Sequence, residues 1–322
     1  MTVRAGGHRR WRRLGQRYGA GYLFAGPYLL GLVCLLAGPL LLSLGMSLCD
    51  WDGVGGLERV ELVGGRHYAA LWREVSSGLD AAGEPSLARK AFWNSLVYAA
   101  WAVPLGLGTS LGLALLLNRR LPGVGLFRTI FYLPAVVSGV ATVLMWQWMF
   151  HPELGLINAV LRAAGVDTAG QPVFQWLYSP SGCKPALILM SLWTTGGAML
   201  IFLAALQNVP EPLYEAARVD GAGRWRQFRH ITLPQISPAV FFNLVIGIIQ
   251  AMQLFAQPFL LHSPRQDNAL LMVVPQIYYE AFQLGHFGYA SALAWALFGL
   301  ILALTLLVLA SSRRWVYYEA EG

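Results

Sequence analysis

Tyr214-Glu215-Ala216-Ala217-Arg218-Val219-Asp220-Gly221, closed by Ile231-Thr232-Leu233-Pro234, is a polar, arginine-bearing stretch set between two long apolar runs, 185–207 and 238–261. Its residues read as two short helices. Pro212 suits the first helical position, and Glu211 and Glu215 lie near the positive helix end. Gly221 supplies the left-handed residue that ends the first helix, which therefore spans 212–220. A second helix is expected near 224–230, with Pro234 breaking it before the next apolar run. Ala216 and Ala217 leave a smooth face on which a larger partner can close, and Arg218, Arg224, Arg226 and Arg229 offer charge to that partner or to lipid headgroups. On the residues alone two readings stand level: a docking knuckle for another protein, and an interfacial amphipathic pair that anchors the loop.

The flanking runs are two of six, at 22–48, 92–117, 129–150, 185–207, 238–261 and 288–310. Each exceeds the ~20 residues a helix needs to cross a hydrocarbon core of ~30 Å. The composition agrees: 12% of the 322 residues are charged and 56% hydrophobic, against about 25% charged in a soluble domain. Lipid offers the backbone no hydrogen-bond partner, so the runs must be helices. The expected fold class is an all-α membrane protein with six transmembrane helices. Its organisation is a tail over 1–21, a membrane domain over 22–311 containing the polar loop at about 208–237, and a second tail over 312–322.

Placing both tails in the cytoplasm puts most of the 23 basic residues on the inner side, including Arg9, Arg10, Arg12, Arg13, Arg119, Arg120, Arg128 and the loop arginines. Acidic residues concentrate outside. The net charge of +7 thus reflects topology and anionic lipid, and nucleic acid is not an expected partner. None of the six runs contains Asp, Glu, Lys or Arg. Ion-coupled carriers keep an ionisable group within the bundle, so the driving energy is expected to come from another chain.

No catalytic apparatus is legible. The only lysines, Lys90 and Lys184, do not follow Gly, so there is no phosphate-binding Walker loop, and no His-Glu-x-x-His helix exists. The nearest acid–base pair for a membrane enzyme is His151 with Glu153. Cysteine spacing fits no metal site, and neither metal nor cofactor is expected. Cys49 and Cys183 both fall at outer ends, either unpaired or joined outside the membrane. Gly108 and Gly112 have the spacing of a close helix crossing. Trp146 and Trp148 suit an outer aromatic belt or, more sharply, sugar stacking. A short helix is expected near 67–74 and an amphipathic piece near 157–162.

The order Glu215-Ala216-Ala217, then Gly221, then Ile231-Thr232-Leu233-Pro234, resembles the EAA loop of binding-protein-dependent ABC importer permeases. Ser47-Leu48-Cys49-Asp50-Trp51, Phe127-Arg128-Thr129-Ile130-Phe131-Tyr132-Leu133-Pro134, Leu206-Gln207-Asn208-Val209-Pro210 and Gly288-Tyr289-Ala290-Ser291-Ala292 are similar to the sugar-permease subfamily. The resemblance implies a type I importer fold in the bacterial inner membrane, with Glu215, Ala216, Ala217, Asp220, Gly221, Leu233 and Pro234 contacting an ATPase. It further implies a second homologous permease subunit, a dimer of ABC ATPase subunits, an extracytoplasmic solute-binding protein and a sugar substrate. The sugar would be held on the helices flanking the loop, where Trp193, Asn243, Gln250 and Gln253 are the polar or aromatic candidates: an aromatic face for stacking and amides that both donate and accept. Helix–helix hydrogen bonding is the competing role for those amides. The turn 262–268 departs from the family's Gly-Gly-Pro-Thr pattern. A stand-alone carrier of a small polar solute is the alternative function.

Overall fold

A computed structural model describes residues 24–53, 56, 58, 60–119, 122–166, 175–263 and 266–317. The expected tail at 1–21, residues 318–322 of the tail at 312–322, and Arg59, Arg120 and Arg265 lie outside the described residues. Helix α1 (Phe24–Ser47) is apolar all round and buries no residue before Ser47, as a helix facing lipid must. Beyond it, β1 (Cys49–Asp50) pairs antiparallel with β2 (Glu61–Leu62), Cys49 opposite Leu62. Helix α2 (Arg66–Ser77) ends on Gly78 with φ of 80°, the left-handed stop a glycine adopts without steric cost.

Helix α3 (Leu87–Leu117) starts at Ser86, whose Oγ accepts from the Arg89 N–H at 3.1 Å. Next come α4 (Val124–Val136) and α5 (Gly139–Met149), the short α6 (Leu156–Ala163), then α7 (Cys183–Trp193) and α8 (Gly196–Gln207). Helices α9 (Glu211–Val219) and α10 (Arg224–Gln227) form the polar loop. Helices α11 (Ser237–Met252) and α12 (Ala256–Leu261) make the following span. Helix α13 (Val273–Tyr278) lies in the connection to α14 (Phe287–Ser312).

Four stretches are each long and apolar enough to cross a membrane as one span: Phe24–Ser47, Leu87–Leu117, Ser237–Leu261, which is interrupted at 253–255, and Phe287–Ser312. The expected helices at 129–150 and 185–207 are bent pairs instead: α4 and α5 meet at 99°, α7 and α8 at 47°. Counting each pair as one span gives six. At the first bend Val137 and Ser138 take extended ψ values of 138° and 136°, so no helix continues through them.

Helix α3 is central, packing against α7, α8 and α11. Two apolar cores result. One joins Trp146, Phe150, Leu187, Met190 and Met252 to Leu270–Val273; the other joins Ala114, Leu117, Met199, Phe202, Leu206 and Ile236 beneath the polar loop. Gly108 and Gly112 are not crossing points, for a Cβ at either would meet nothing within 4 Å. The tight crossing is at Gly196, where a Cβ would lie 2.5 Å from the Phe131 carbonyl oxygen. Trp146 is not in the aromatic belt either. It is 6% exposed, stacked on Phe150 at 5.1 Å, while Trp148 is 62% exposed. Cys49 and Cys183 are free thiols.

Two prolines sit just after a widened turn. A π-helical stretch Leu32–Ala37 precedes Pro39, and another, Phe228–Thr232, precedes Pro234. Proline lacks the N–H and its ring crowds the carbonyl four residues back; a wider turn moves that carbonyl away. Pro234 therefore does not end the second loop helix as expected. The helical path runs from α10 through the π turn to Leu233–Gln235, and the break falls at Ile236, one residue before α11.

Candidate functional site

The polar loop is a knuckle with a fixed base and an open crown. Pro212 occupies the first turn of α9, as its fixed φ favours. At the other end Gly221 has φ of 71°, its N–H donates to the Arg218 carbonyl at 3.1 Å, and the Ala222 N–H donates to the Ala217 carbonyl at 2.8 Å. These two bonds make a Schellman cap. The Tyr214 hydroxyl lies 2.9 Å from Thr232 Oγ1, tying α9 to the π turn, and Thr232 is buried. The Tyr317 N–H donates to Ser237 Oγ at 2.8 Å, which brings the end of α14 to the same base.

On the crown, Glu215, Ala216, Asp220 and Gly221 are exposed, and Ala217 is half-buried. Leu233 is exposed and Pro234 half-buried on the second helical stretch. Two apolar side chains that sequence reading did not single out stand beside them, Val219 at 89% and Trp225 at 72% exposure. Large apolar groups held open on a rigid base mark a contact surface.

The four flanking-helix candidates are not alike. Gln250 and Gln253 are both exposed, three residues apart at the end of α11, so they share a face. Among the described residues neither side chain has a hydrogen-bond partner. Gln253 caps α11 just before the interruption at 253–255. Trp193 ends α7 half-buried, edge-on to Trp146 at 6.1 Å. Asn243 is 5% exposed and donates Nδ2–H to the Ala239 carbonyl at 3.0 Å within its own helix.

Beyond Gln253 begins a chain of aromatic rings that sequence reading missed. Phe255 stacks on Phe259 at 4.9 Å, Phe259 meets Tyr278 at 5.0 Å, Tyr278 meets Phe282 at 5.2 Å, and Phe282 and Trp51 each meet Phe287 at 5.6 Å. These rings come from three separate segments, so no spacing rule could have gathered them.

The segment 262–287 itself is folded inward. Asn94 donates Nδ2–H to the Asn268 and Leu271 carbonyls at 3.0 and 2.9 Å, and the Val273 N–H donates to Ser95 Oγ at 3.1 Å. Asp267 and Asn268 adopt φ of 45° and 55°, the left-handed region that these residue types tolerate best after glycine. They stand in the turn where the resembled family's glycines are missing. Close by, the Tyr289 hydroxyl donates to Glu74 Oε2 at 2.8 Å. Burial lifts the Glu74 carboxyl above its ordinary range against that hydrogen bond, with the Glu280 and Asp80 carboxylates adding to the rise. His151 is no acid–base partner for Glu153: its Nδ1 accepts the N–H groups of Glu153 and Leu154, closing a turn.

A family model described as "Binding-protein-dependent transport system inner membrane component" matches residues 102–317. The chain belongs to this family. It is the permease subunit of an ABC importer, a multi-pass inner-membrane protein, and ATP hydrolysis is carried out by a separate subunit. The probable ABC transporter permease protein YesP of Bacillus subtilis is 36% identical over 94% of this permease and 93% of the relative. The trehalose/maltose transport system permease protein MalF of Thermococcus litoralis is 33% identical, over 70% of this permease and 76% of the relative. Among solved structures, a chain of a bacterial alginate ABC transporter, in complex with alginate pentasaccharide-bound periplasmic protein, superposes with a TM-score of 0.77 at 24% identity. That match covers 94% of this permease and 96% of the other chain, and it shows the fold. The stand-alone carrier finds no support in these likenesses.

Proposed function

We propose that this permease forms one half of a carbohydrate pathway, the other half being a second, related permease. The 211–235 knuckle is seated in an ABC ATPase subunit, so that nucleotide-driven movement of the ATPase dimer tilts the spans. Both chain termini then lie in the cytoplasm, on the knuckle's side. The basic residues on that side and the bond from Tyr317 to Ser237 support this orientation. The membrane domain is taken as 22–311, with tails at 1–21 and 312–322, and the outer face meets a solute-binding protein.

The observation that carries the reading is the crown of the knuckle: Glu215, Asp220 and a nearly bare Val219 presented on a helix held at Tyr214 and at its C-terminal cap. Leu233 and Pro234 belong to the same contact. A carbohydrate is supported by the trehalose/maltose relative, and by the exposed, unpartnered amides of Gln250 and Gln253. Asn243, with its amide bonded inside its helix, supports the helix in this reading.

Glu215→Lys tests the coupling. It is expected to abolish uptake and lose the co-purifying ATPase while the permease still reaches the membrane; wild-type uptake would overturn the assignment. Gln253→Ala is expected to change affinity or preference among sugars more than assembly, read as uptake kinetics across a sugar panel. An unchanged panel removes Gln253 from the pathway.

A further inference from the structure

At the root of the knuckle, where α3 ends, α4 begins and α9 meets α10, lies a cavity of about 840 Å³. Four guanidinium groups line it, those of Arg119, Arg128, Arg218 and Arg224, against one carboxylate, Glu211. Among the described residues none of the four is within ion-pair distance of an acid. Arg128 is the deepest. Its Nη2 donates to the Leu117 carbonyl at 3.1 Å, and its Nε is buried with no hydrogen-bond partner. A buried donor without an acceptor is costly and rare. Four like charges around one hollow repel one another unless an anion enters.

The wall of the cavity is apolar in part, through Val124, Leu206 and Val209. Arg128 lies near the start of α4 and Leu206 near the end of α8, helix ends that the proposed orientation sets at the depth of lipid headgroups. Basic pockets between such helices on the cytoplasmic side hold anionic headgroups, and guanidinium forks match phosphate oxygens in pairs. We infer that this cavity is a binding site for the phosphodiester headgroup of an anionic membrane lipid, bridging the α3–α4 turn to the coupling knuckle. The inference rests on the cytoplasmic orientation proposed above. Bound there, the lipid phosphate joins Glu211 in offsetting part of the charge of the four arginines and stiffens the joint through which α9 moves the spans. A carboxylate from the ATPase is the rival occupant; the apolar wall and the position at the helix ends favour lipid.

The test is native mass spectrometry of the assembled importer, purified and exposed to phosphatidylglycerol or phosphatidylcholine. The wild-type complex is expected to retain phosphatidylglycerol selectively. Arg128→Gln with Arg224→Gln is expected to lower retention by roughly tenfold or more, the loss expected for removing charge-assisted hydrogen bonds. Arg119→Gln with Arg224→Gln, both exposed and outside the core, repeats the measurement should the deeper change impair folding, and Arg128→Lys should keep most of the retention. Equal retention by wild type and both double variants overturns the inference. So does stripping of the lipid by millimolar inorganic phosphate, which would make this a free-anion site. Loss of the ATPase from the variants with lipid retention intact overturns it as well, since the arginines would then serve the ATPase. Failure of the coupling assignment looks different: Glu215→Lys would transport normally, whatever lipid is retained.

Discussion

The two connections at either end of the α11–α12 span answer opposite needs. The knuckle at 211–235 is readable in the sequence, locally folded and open, with Val219 and Trp225 bare at its crown. The segment at 262–287 has no legible motif, yet Leu270–Val273 are buried to 4% exposure or less. Its bonds reach Asn94 and Ser95, partners 174 to 178 residues away. The crown of the knuckle is left uncovered by its own chain, as the proposed docking requires. The other segment is shaped to fit its own chain, so its residues carry meaning only once the helices are assembled.

Substitution at each place sharpens the contrast, and the largest effect is expected at the knuckle. Gly221 has φ of 71° and open space around it. A Cβ at this position therefore meets no neighbour, and Gly221→Val pays at least the backbone cost of a left-handed residue, about 1–2 kcal/mol. That suffices to shift α9 and abolish uptake, while the melting temperature of the purified permease stays close to wild type. A variant that imports normally would show that the cap geometry is immaterial. On the other face, Asn94→Leu leaves the Leu271 carbonyl without its donor, while the Asn268 carbonyl keeps the Leu271 N–H at 3.0 Å. The orphaned group costs about 1–3 kcal/mol, so thermal unfolding in detergent should occur below the wild-type temperature. Here stability falls first, and uptake falls with it. Unaltered unfolding would mean that the inward-folded segment does not hold the bundle together.

What could be read in advance follows the same division. Pro212, Gly221 and the helix between them lie within ten residues of one another, and local rules describe them. Membrane runs were legible from hydropathy, but not the 99° bend between α4 and α5, because Val137 and Ser138 look like ordinary helix residues until α8 crosses at Gly196. Gly108 and Gly112 had the right spacing and no neighbour, since spacing names a helix face and not what meets it. Trp146 looked like its neighbour Trp148, two residues on; the turn of the helix sends one ring to the core and the other outward. The π turns before Pro39 and Pro234 were hidden for a different reason: a proline forbids one hydrogen-bond pattern without dictating which other replaces it. Gln250, Gln253 and Trp193 were nameable as polar or aromatic groups in apolar helices. The ring chain from Phe255 to Trp51, and the arginine cavity, are gathered from distant segments and exist only in three dimensions.

The smallest expected effect lies where α2 packs on α14. Glu74 accepts from the Tyr289 hydroxyl but is partly buried near two other carboxylates, and its carboxyl is held above the ordinary range. A raised folded-state value means that the folded chain binds this proton more tightly than the unfolded chain does. The favourable contribution is thus fully present below the ordinary glutamate range and is lost as pH rises through the raised folded-state value. Once pH has risen through that value, the charged form persists at a cost to packing. Glu74→Gln keeps a hydrogen-bond acceptor for Tyr289 and removes the titration. With rising pH the variant should come to unfold at a slightly higher temperature than wild type, and the difference should shrink as the medium is acidified. Parallel unfolding curves for the two proteins across that pH range would mean that α2 moves away from α14 readily enough for Glu74 to stay hydrated. The contact of α2 with α14 would then be looser than the segment at 262–287, and the contrast with the open knuckle less sharp.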